Sequence, residues 1–118
     1  MKAGNKNEQL MELLQLLKKT AIENNAAVWK RVASDLEKPT RQRRVVNIFK
    51  LEKYCDDNDV IVVPGKVLGT GDLNKKVTVA AYTFSGQAFD KISAKGKAMS
   101  IKEMVEKNPQ GKKIRLMG

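Results

Sequence analysis

The spacing of the apolar residues changes near the middle of the chain. In the first half they recur every three or four residues, as at Leu10, Leu13 and Leu17, which is the period of an amphipathic helix. Beyond an acidic turn, the continuous β-branched run Val60–Val63 is typical of a buried strand. Strands then alternate with short helices. The sequence therefore predicts an α/β fold, with N-terminal helices followed by an irregular layered β-β-α unit with a small sheet.

Three helices are expected in the first half, at about 8–23, 27–38 and 41–54. Pro39 ends the second, because the residue before a proline disfavours the helical region, and Thr40 is the expected cap of the third. The predicted inner arc of the third helix holds Val45, Val46, Ile48, Phe49 and Leu51.

The second half predicts strands at 60–63 and 77–82, the first of them ended by Pro64-Gly65. Short strands are also expected at 98–99 and 114–116. Two helices are expected, one capped by Ser85 and ended by Gly96, the other opened by a capping box at Ser100. Residues 1–118 are expected to form one domain, with a helical part at 1–58 and an α/β part at 59–118.

Positive charge is in large excess, with 23 lysines and arginines against 13 acidic residues and a net charge of +10. Such a charge destabilises a compact chain by self-repulsion unless anions neutralise it, and nucleic acid is the expected anion. The charge is spread over several segments, which suits a protein placed among several phosphate strands.

The composition argues against catalysis. The chain has no histidine and one cysteine, so zinc chemistry and triad chemistry are nearly excluded, and neither a cofactor nor a small-molecule substrate is expected. The longest β-rich apolar run is too short to span a membrane. We therefore expect a soluble cytoplasmic protein that is not an enzyme and has no membrane partner.

Arg41, Arg43 and Arg44 would lie in the first turn of the third helix. Cations are unfavourable at this end of a helix unless an anion is held there, so the cluster predicts a phosphate site, with Lys30 and Arg31 close by in sequence. A solvated basic face is the competing interpretation.

The loop at 64–76 contains Gly69-Thr70-Gly71 but fits neither common nucleotide-binding pattern. No Gly-Lys-Ser/Thr closes it, and Asn74 stands where a third glycine is needed. The glycines are better explained as sites of tight turning that present lysines to phosphates. The predicted RNA contacts of this loop are Lys66, Gly69, Gly71, Lys75 and Lys76.

Further RNA contacts are predicted in the third helix and in the C-terminal part, at Lys50, Lys91, Lys95, Lys97, Lys112, Lys113 and Arg115. Aromatic residues are few. Trp29, Phe49 and Phe89 are assigned to the core, and Tyr54 is the candidate for contact with a base. Recognition of folded RNA by shape and phosphate is therefore expected to dominate over stacking.

A signature in the second half resembles a known family. It consists of Lys66-Val-Leu-Gly-Thr-Gly71, Val77-Thr-Val79, and then Phe84-Ser85, Ala88, Ile92 and Gly96. It is similar to the signature shared by bacterial large-subunit ribosomal protein fifteen and the archaeal and eukaryotic ribosomal protein eighteen-e. The stretches VWKRV, KPTRQRRVVN and NPQGKKIRLMG extend the resemblance, most closely to the archaeal form. One departure is Lys95, which precedes Gly96 where the family often has two glycines.

The resemblance implies a structural role in the large ribosomal subunit, with large-subunit ribosomal RNA and neighbouring ribosomal proteins as partners. By position it points to Arg41, Arg43 and Arg44, to the loop around Lys66 and Gly71, and to Lys95.

Two other hypotheses remain open from the residues alone. The three predicted helices could form a helix-turn-helix DNA-binding unit, with TRQRR opening its recognition helix. A small nucleotide-dependent enzyme would require the Gly69–Gly71 segment to hold a phosphate.

Overall fold

A computed structural model describes residues 3–39 and 43–117, with side chains from residue 8 onward. Helices and strands are mixed, which confirms the predicted α/β class. The elements in chain order are α1 (Ala3–Asn24), α2 (Ala27–Leu36), β1 (Arg44–Asn47), α3 (Ile48–Tyr54), β2 (Val60–Leu68), β3 (Thr78–Phe84), α4 (Gly86–Lys95), β4 (Lys97–Ser100), α5 (Ile101–Lys107) and β5 (Ile114–Leu116).

The described strands form one sheet in which every pairing is parallel. The strand β2 is central. It pairs with β3 along one edge, and β3 pairs in turn with β4. The opposite edge of β2 is shared, since β5 pairs with its first three residues and β1 with its last four.

Helices cover both faces of the sheet, as parallel sheets require. Val62, Ala80 and Met99 belong to a core cluster with residues of α1, α2 and α5. The alternate positions Ile61 and Val79 belong to a second cluster, with residues of α3 and α4. Each face of the sheet thus has its own core.

Trp29 is a fully buried anchor of the first cluster, as predicted. Its indole Nε1 donates to the carbonyl oxygens of Pro109 at 3.0 Å and Asn108 at 3.3 Å. These two bonds tie α2 to the turn that precedes β5.

The predicted third helix is wrong in its first turns. Residues 44–47 form β1, and the helix begins only at Ile48. The β-branched pair Val45-Val46 pairs with Lys66 and Val67 of β2, and Val46 is buried. Gly65 allows this close approach, because a Cβ there would lie 1.9 Å from the Arg44 carbonyl oxygen. Thr40, the expected cap, lies outside the described residues, as does Arg41.

The prediction that Pro64-Gly65 ends the second strand is also wrong. β2 continues to Leu68, with an irregularity in its pairing to β3 between Val63 and Lys66. Proline has no N–H to donate and is tolerated in sheets at such bulges. The pair therefore marks a bulge inside a strand of nine residues.

Both predicted helix caps of the second half are confirmed. The Ser85 hydroxyl accepts from the Ala88 N–H at 3.1 Å, and Ser100 and Glu103 form a complete capping box. Phe89 was expected on the inner face of α4, but its side chain is 45% exposed.

Candidate nucleic-acid interface

The Gly69–Gly71 loop follows β2 at the carboxyl end of the sheet and is held by the protein itself. Lys91 on α4 donates from Nζ to the carbonyl oxygens of Gly69 at 2.7 Å and Gly71 at 2.5 Å. The Phe49 N–H donates to the Thr70 carbonyl oxygen at 2.9 Å. Lys91 thus positions the loop between α3 and α4, and its predicted contact with RNA phosphate stays a prediction.

Gly71 has a backbone conformation that demands glycine. Its φ is +108°, and a Cβ would lie 2.6 Å from the Phe49 backbone nitrogen. At Gly69 a Cβ would lie 2.7 Å from the Gln87 side chain. The two glycines therefore serve the packing of the loop against α3 and α4.

A second lysine, Lys75, holds the later part of the connection between β2 and β3. Lys75 donates from Nζ to the carbonyl oxygens of Glu52 at 2.6 Å and Cys55 at 2.5 Å. The Glu52 carboxylate accepts from the Asn74 N–H at 2.9 Å. The connection between β2 and β3 is thus bound to α3 at Thr70 and to α3 and Cys55 at Asn74 and Lys75.

Arg43 and Arg44 occupy a different setting from the predicted helix start. Arg44 Nε lies 3.0 Å from Oδ2 of Asp35, a carboxylate that is almost fully buried. Arg43 Nε donates to the carbonyl oxygens of Leu36 and Lys38, each at 3.2 Å, and its guanidinium lies 5.2 Å from the centre of the Tyr82 ring. Both arginines join the end of α2 to the sheet. The prediction that these two residues lie in the first turn of a helix is therefore wrong, and their contact with RNA phosphate stays a prediction.

Arg115 on β5 also has internal partners. Its Nη1 donates to the Tyr54 carbonyl oxygen at 2.9 Å and lies 3.5 Å from Oδ2 of Asp59. These contacts join β5 to the end of α3. Beneath them Cys55 is buried, and its burial raises the pKa of the thiol, an effect that the charge of Arg115 partly offsets.

Lysines collect at the amino end of the sheet. Lys97 pairs with Thr78, Thr78 with Val60, and Val60 with Ile114, so four strand starts form one row. Adjacent strands are about 4.8 Å apart, which makes this row roughly 14 Å long. The row and the residues that immediately precede its strands contain five exposed lysines: Lys76, Lys95, Lys97, Lys112 and Lys113.

We call these five residues the amino-end lysines. No hydrogen bond or ion pair from their side chains to another residue is present within the described parts of the chain. The acidic turn beside them is partly engaged, because Asp57 accepts from the Lys76 N–H and Asp59 from the Asp56 N–H. These lysines therefore form a basic, solvent-exposed edge on either side of the acidic turn that precedes β2.

The turn between α4 and β4 accommodates a lysine at position 95, where the family often has glycine, without a positive φ. Lys95 is the last residue of α4, where a cation is favourable, and its φ is not positive. Gly96 fits against β3, since a Cβ there would lie 2.0 Å from the Val77 carbonyl oxygen. The lysine is thus presented at the end of a regular helix.

The other predicted contacts are dispersed. Lys30 and Arg31 are exposed on α2, Lys66 is exposed on β2 beside Val45, and Lys50 is half-buried on α3. The structure therefore divides the predicted set into internal anchors, the amino-end lysines and further residues on α2, β2 and α3.

Phe49 is the main residue that the sequence analysis misplaced. Its side chain is 61% exposed, whereas a helix starting at 41 would have turned it inward. The β-branched pair Val45-Val46 was the signal that could have separated a short strand from the helix and so corrected the facing of Phe49.

Acidic residues gather at the opposite end of β3. A groove of about 850 Å³ between α1 and α5 is lined in part by Glu12 and Glu106. An adjacent depression is lined in part by Asp90 and Glu103. These carboxylates would repel phosphate, so the two depressions are poor candidates for RNA contact.

Neither a metal cluster nor a membrane span is found in the parts of the chain that the structure describes. No three potential ligands among histidine, cysteine, aspartate and glutamate come together there. No described helix is long and apolar enough to cross a membrane.

Comparison with known proteins identifies the family. Residues 24–99 match the family model described as ribosomal proteins 50S-L15, 50S-L18e and 60S-L27A. Similar proteins include the large ribosomal subunit protein eL18 of Archaeoglobus fulgidus, 46% identical over 94% of this chain and 96% of the relative. The protein of the same name from Haloarcula marismortui is 45% identical over 94% of this chain and 96% of the relative. That from Methanococcus maripaludis is 44% identical over 94% of this chain and 93% of the relative. On this evidence the chain belongs to the ribosomal protein family of 50S-L15, 50S-L18e and 60S-L27A, and within it resembles the archaeal eL18 proteins.

Proposed function

We propose that this protein binds large-subunit ribosomal RNA and stabilises its fold through lysine and arginine contacts to phosphates. The amino-end lysines carry the proposal. They bring five solvent-exposed cations from the three segments that lead into β3, β4 and β5 to one edge of a rigid sheet. Phosphate contacts supply most of the affinity of proteins that bind nucleic acid without reading its sequence.

The proposed role is structural and not catalytic. The family membership supports a place in the large subunit of the cytoplasmic ribosome, with ribosomal RNA and neighbouring ribosomal proteins as partners. The helix-turn-helix alternative loses its main support, because the expected recognition helix is replaced by β1 over 44–47.

A binding titration over a salt series tests the proposal. The probe is purified large-subunit ribosomal RNA, and the double variant Lys97→Gln/Lys113→Gln is compared with the unchanged protein. Each lost phosphate contact should reduce the slope of log affinity against log salt by about 0.7–0.9. Two lost contacts should weaken binding by about tenfold at 0.15 M salt.

The matched control is Lys19→Gln/Lys102→Gln. It removes the same charge from two exposed lysines outside the amino end, one on α1 and one lining the acidic groove. Its slope should stay close to that of the unchanged protein. Equal losses in the two double variants would show that only net charge matters, and would contradict the proposed interface.

A further inference from the structure

The exposed side of α3 combines aromatic and basic residues. Phe49 and Lys53 are four residues apart, as are Lys50 and Tyr54, so each pair shares a side of the helix. Phe49 is 61% exposed and Tyr54 is 51% exposed. Lys53 Nζ lies 5.4 Å from the centre of the Tyr54 ring. These four residues are the α3 face.

The α3 face is held rigidly although α3 has only seven residues. Ile48 and Leu51 are fully buried on the opposite side of the helix. The Phe49 N–H is bound to the Thr70 carbonyl oxygen, and a Cβ at Gly71 would meet the Phe49 backbone. The exposed rings are thus carried on a backbone that both the core and the Gly69–Gly71 loop fix in place.

The carboxylate of α3 is bound to the neighbouring loop. Glu52 is the one acidic residue in the helix, and its carboxylate accepts from the Asn74 N–H in the loop. The α3 face thus combines two exposed aromatic rings with two lysines.

We propose that the α3 face stacks on unpaired nucleobases of RNA, with Phe49 as the principal contact. This inference rests on the proposed function and adds a base-contacting surface to the phosphate-contacting amino end. Every base has a flat π-face, so aromatic side chains beside cations suit single-stranded or looped RNA. Aromatic residues also occur at protein–protein interfaces, but the cores of those interfaces are depleted in charged residues, and two of the four residues of the α3 face are lysines.

Stacking has a signature that separates it from phosphate contact. It releases no counterions, so its loss weakens binding at every salt concentration and leaves the salt dependence unchanged. Phe49→Ala should therefore lower the affinity for large-subunit ribosomal RNA by about 5- to 150-fold with the same slope. The control Ile22→Ala truncates another exposed apolar side chain, on α1, and should bind as the unchanged protein does.

A second variant, Phe49→Trp, detects the base directly. The larger ring should preserve the affinity, and its fluorescence should be quenched when the RNA binds, above the constant signal of buried Trp29. Inorganic polyphosphate, which has charge but no bases, should not quench it. This readout does not depend on any loss of stability in the alanine variant.

The outcomes separate the two proposals. If Phe49→Ala binds the RNA as tightly as the unchanged protein while Lys97→Gln/Lys113→Gln is weakened, the phosphate interface stands and the stacking surface is wrong. Quenching of Phe49→Trp by polyphosphate as strong as that by RNA would also overturn stacking. If the unchanged protein does not bind the RNA, both proposals fail.

Discussion

Asp35 is a buried carboxylate whose two oxygens meet two different cations. Its Oδ2 lies 3.0 Å from Arg44 Nε, and its Oδ1 lies 3.3 Å from Lys38 Nζ. A carboxylate buried without partners would strongly destabilise the folded state. At the scale of single residues, Arg44 is therefore explained by the fold before any contact with RNA is considered.

Arg44→Ala should consequently lower the stability of the protein. Lys38 would remain beside Asp35, and Arg44 is partly exposed, so we expect a loss of about 1–3 kcal/mol in the free energy of unfolding. Urea unfolding followed by the fluorescence of buried Trp29 would measure it. Arg31→Ala, an exposed arginine of the same region, is the control. A midpoint unchanged by Arg44→Ala would refute the structural role of this arginine.

Internal anchors such as Arg44 could not be separated from surface cations by sequence. Lys75 and Lys91 donate to carbonyl oxygens that lie 20 or more positions away along the chain. Such partners are fixed only when the helices have packed on the sheet. Exposed lysines such as Lys97 are predicted RNA contacts on the same ground, because a sequence does not show which cations have internal partners.

At the scale of elements, periodicity predicted the long helix α1 and the local chemistry predicted the caps. A capping box and a Ser85 cap depend on neighbours within three residues, so they can be read directly. The short strand β1 depends on a partner about 20 residues away in β2, and its four residues fit a helical arc equally well. The misplacement of Phe49 follows from that single error.

The Gly69–Gly71 loop is the element whose position depends most on one side chain. Lys91→Met keeps much of the apolar stem of the lysine but leaves two loop carbonyls without their donor. We expect a loss of about 1–3 kcal/mol of stability and faster hydrogen exchange at the Phe49 and loop amides. Hydrogen exchange read by mass spectrometry or NMR would show both effects.

Lys95→Met is the matched control on the same helix, four residues further on, where the side chain is exposed. It should leave the exchange rates of the loop unchanged. Equal exchange rates of the loop amides in the Lys91→Met and Lys95→Met variants would contradict the proposed role of Lys91 in holding the loop.

At the scale of the whole molecule, exposed lysines without partners among the described residues gather at the amino end of the sheet, around the acidic turn that precedes β2. The amino-end lysines lie at one end of the strands, and Glu12, Asp90, Glu103 and Glu106 line depressions near the other end of β3. Composition predicted the net charge of +10 but could not show this arrangement. The arrangement arises from parallel pairing, which brings the starts of β2, β3, β4 and β5 into one row.

The family resemblance was readable from sequence because its motif serves the fold. Gly71 and Gly96 are each required by a close backbone approach. Ser85 caps α4, and Ala88 and Ile92 are buried residues of the same helix. The motif does not predict which surface contacts RNA, because the fold does not require an exposed lysine at any one position.

Sedimentation of cell extract through a density gradient, with the tagged protein detected in each fraction, tests the proposed ribosomal role most directly. A structural protein bound to large-subunit ribosomal RNA should travel with large ribosomal subunits at about 0.1 M salt and be released only as the salt rises. Recovery mainly in the unbound fractions at the top of the gradient at that salt would contradict it.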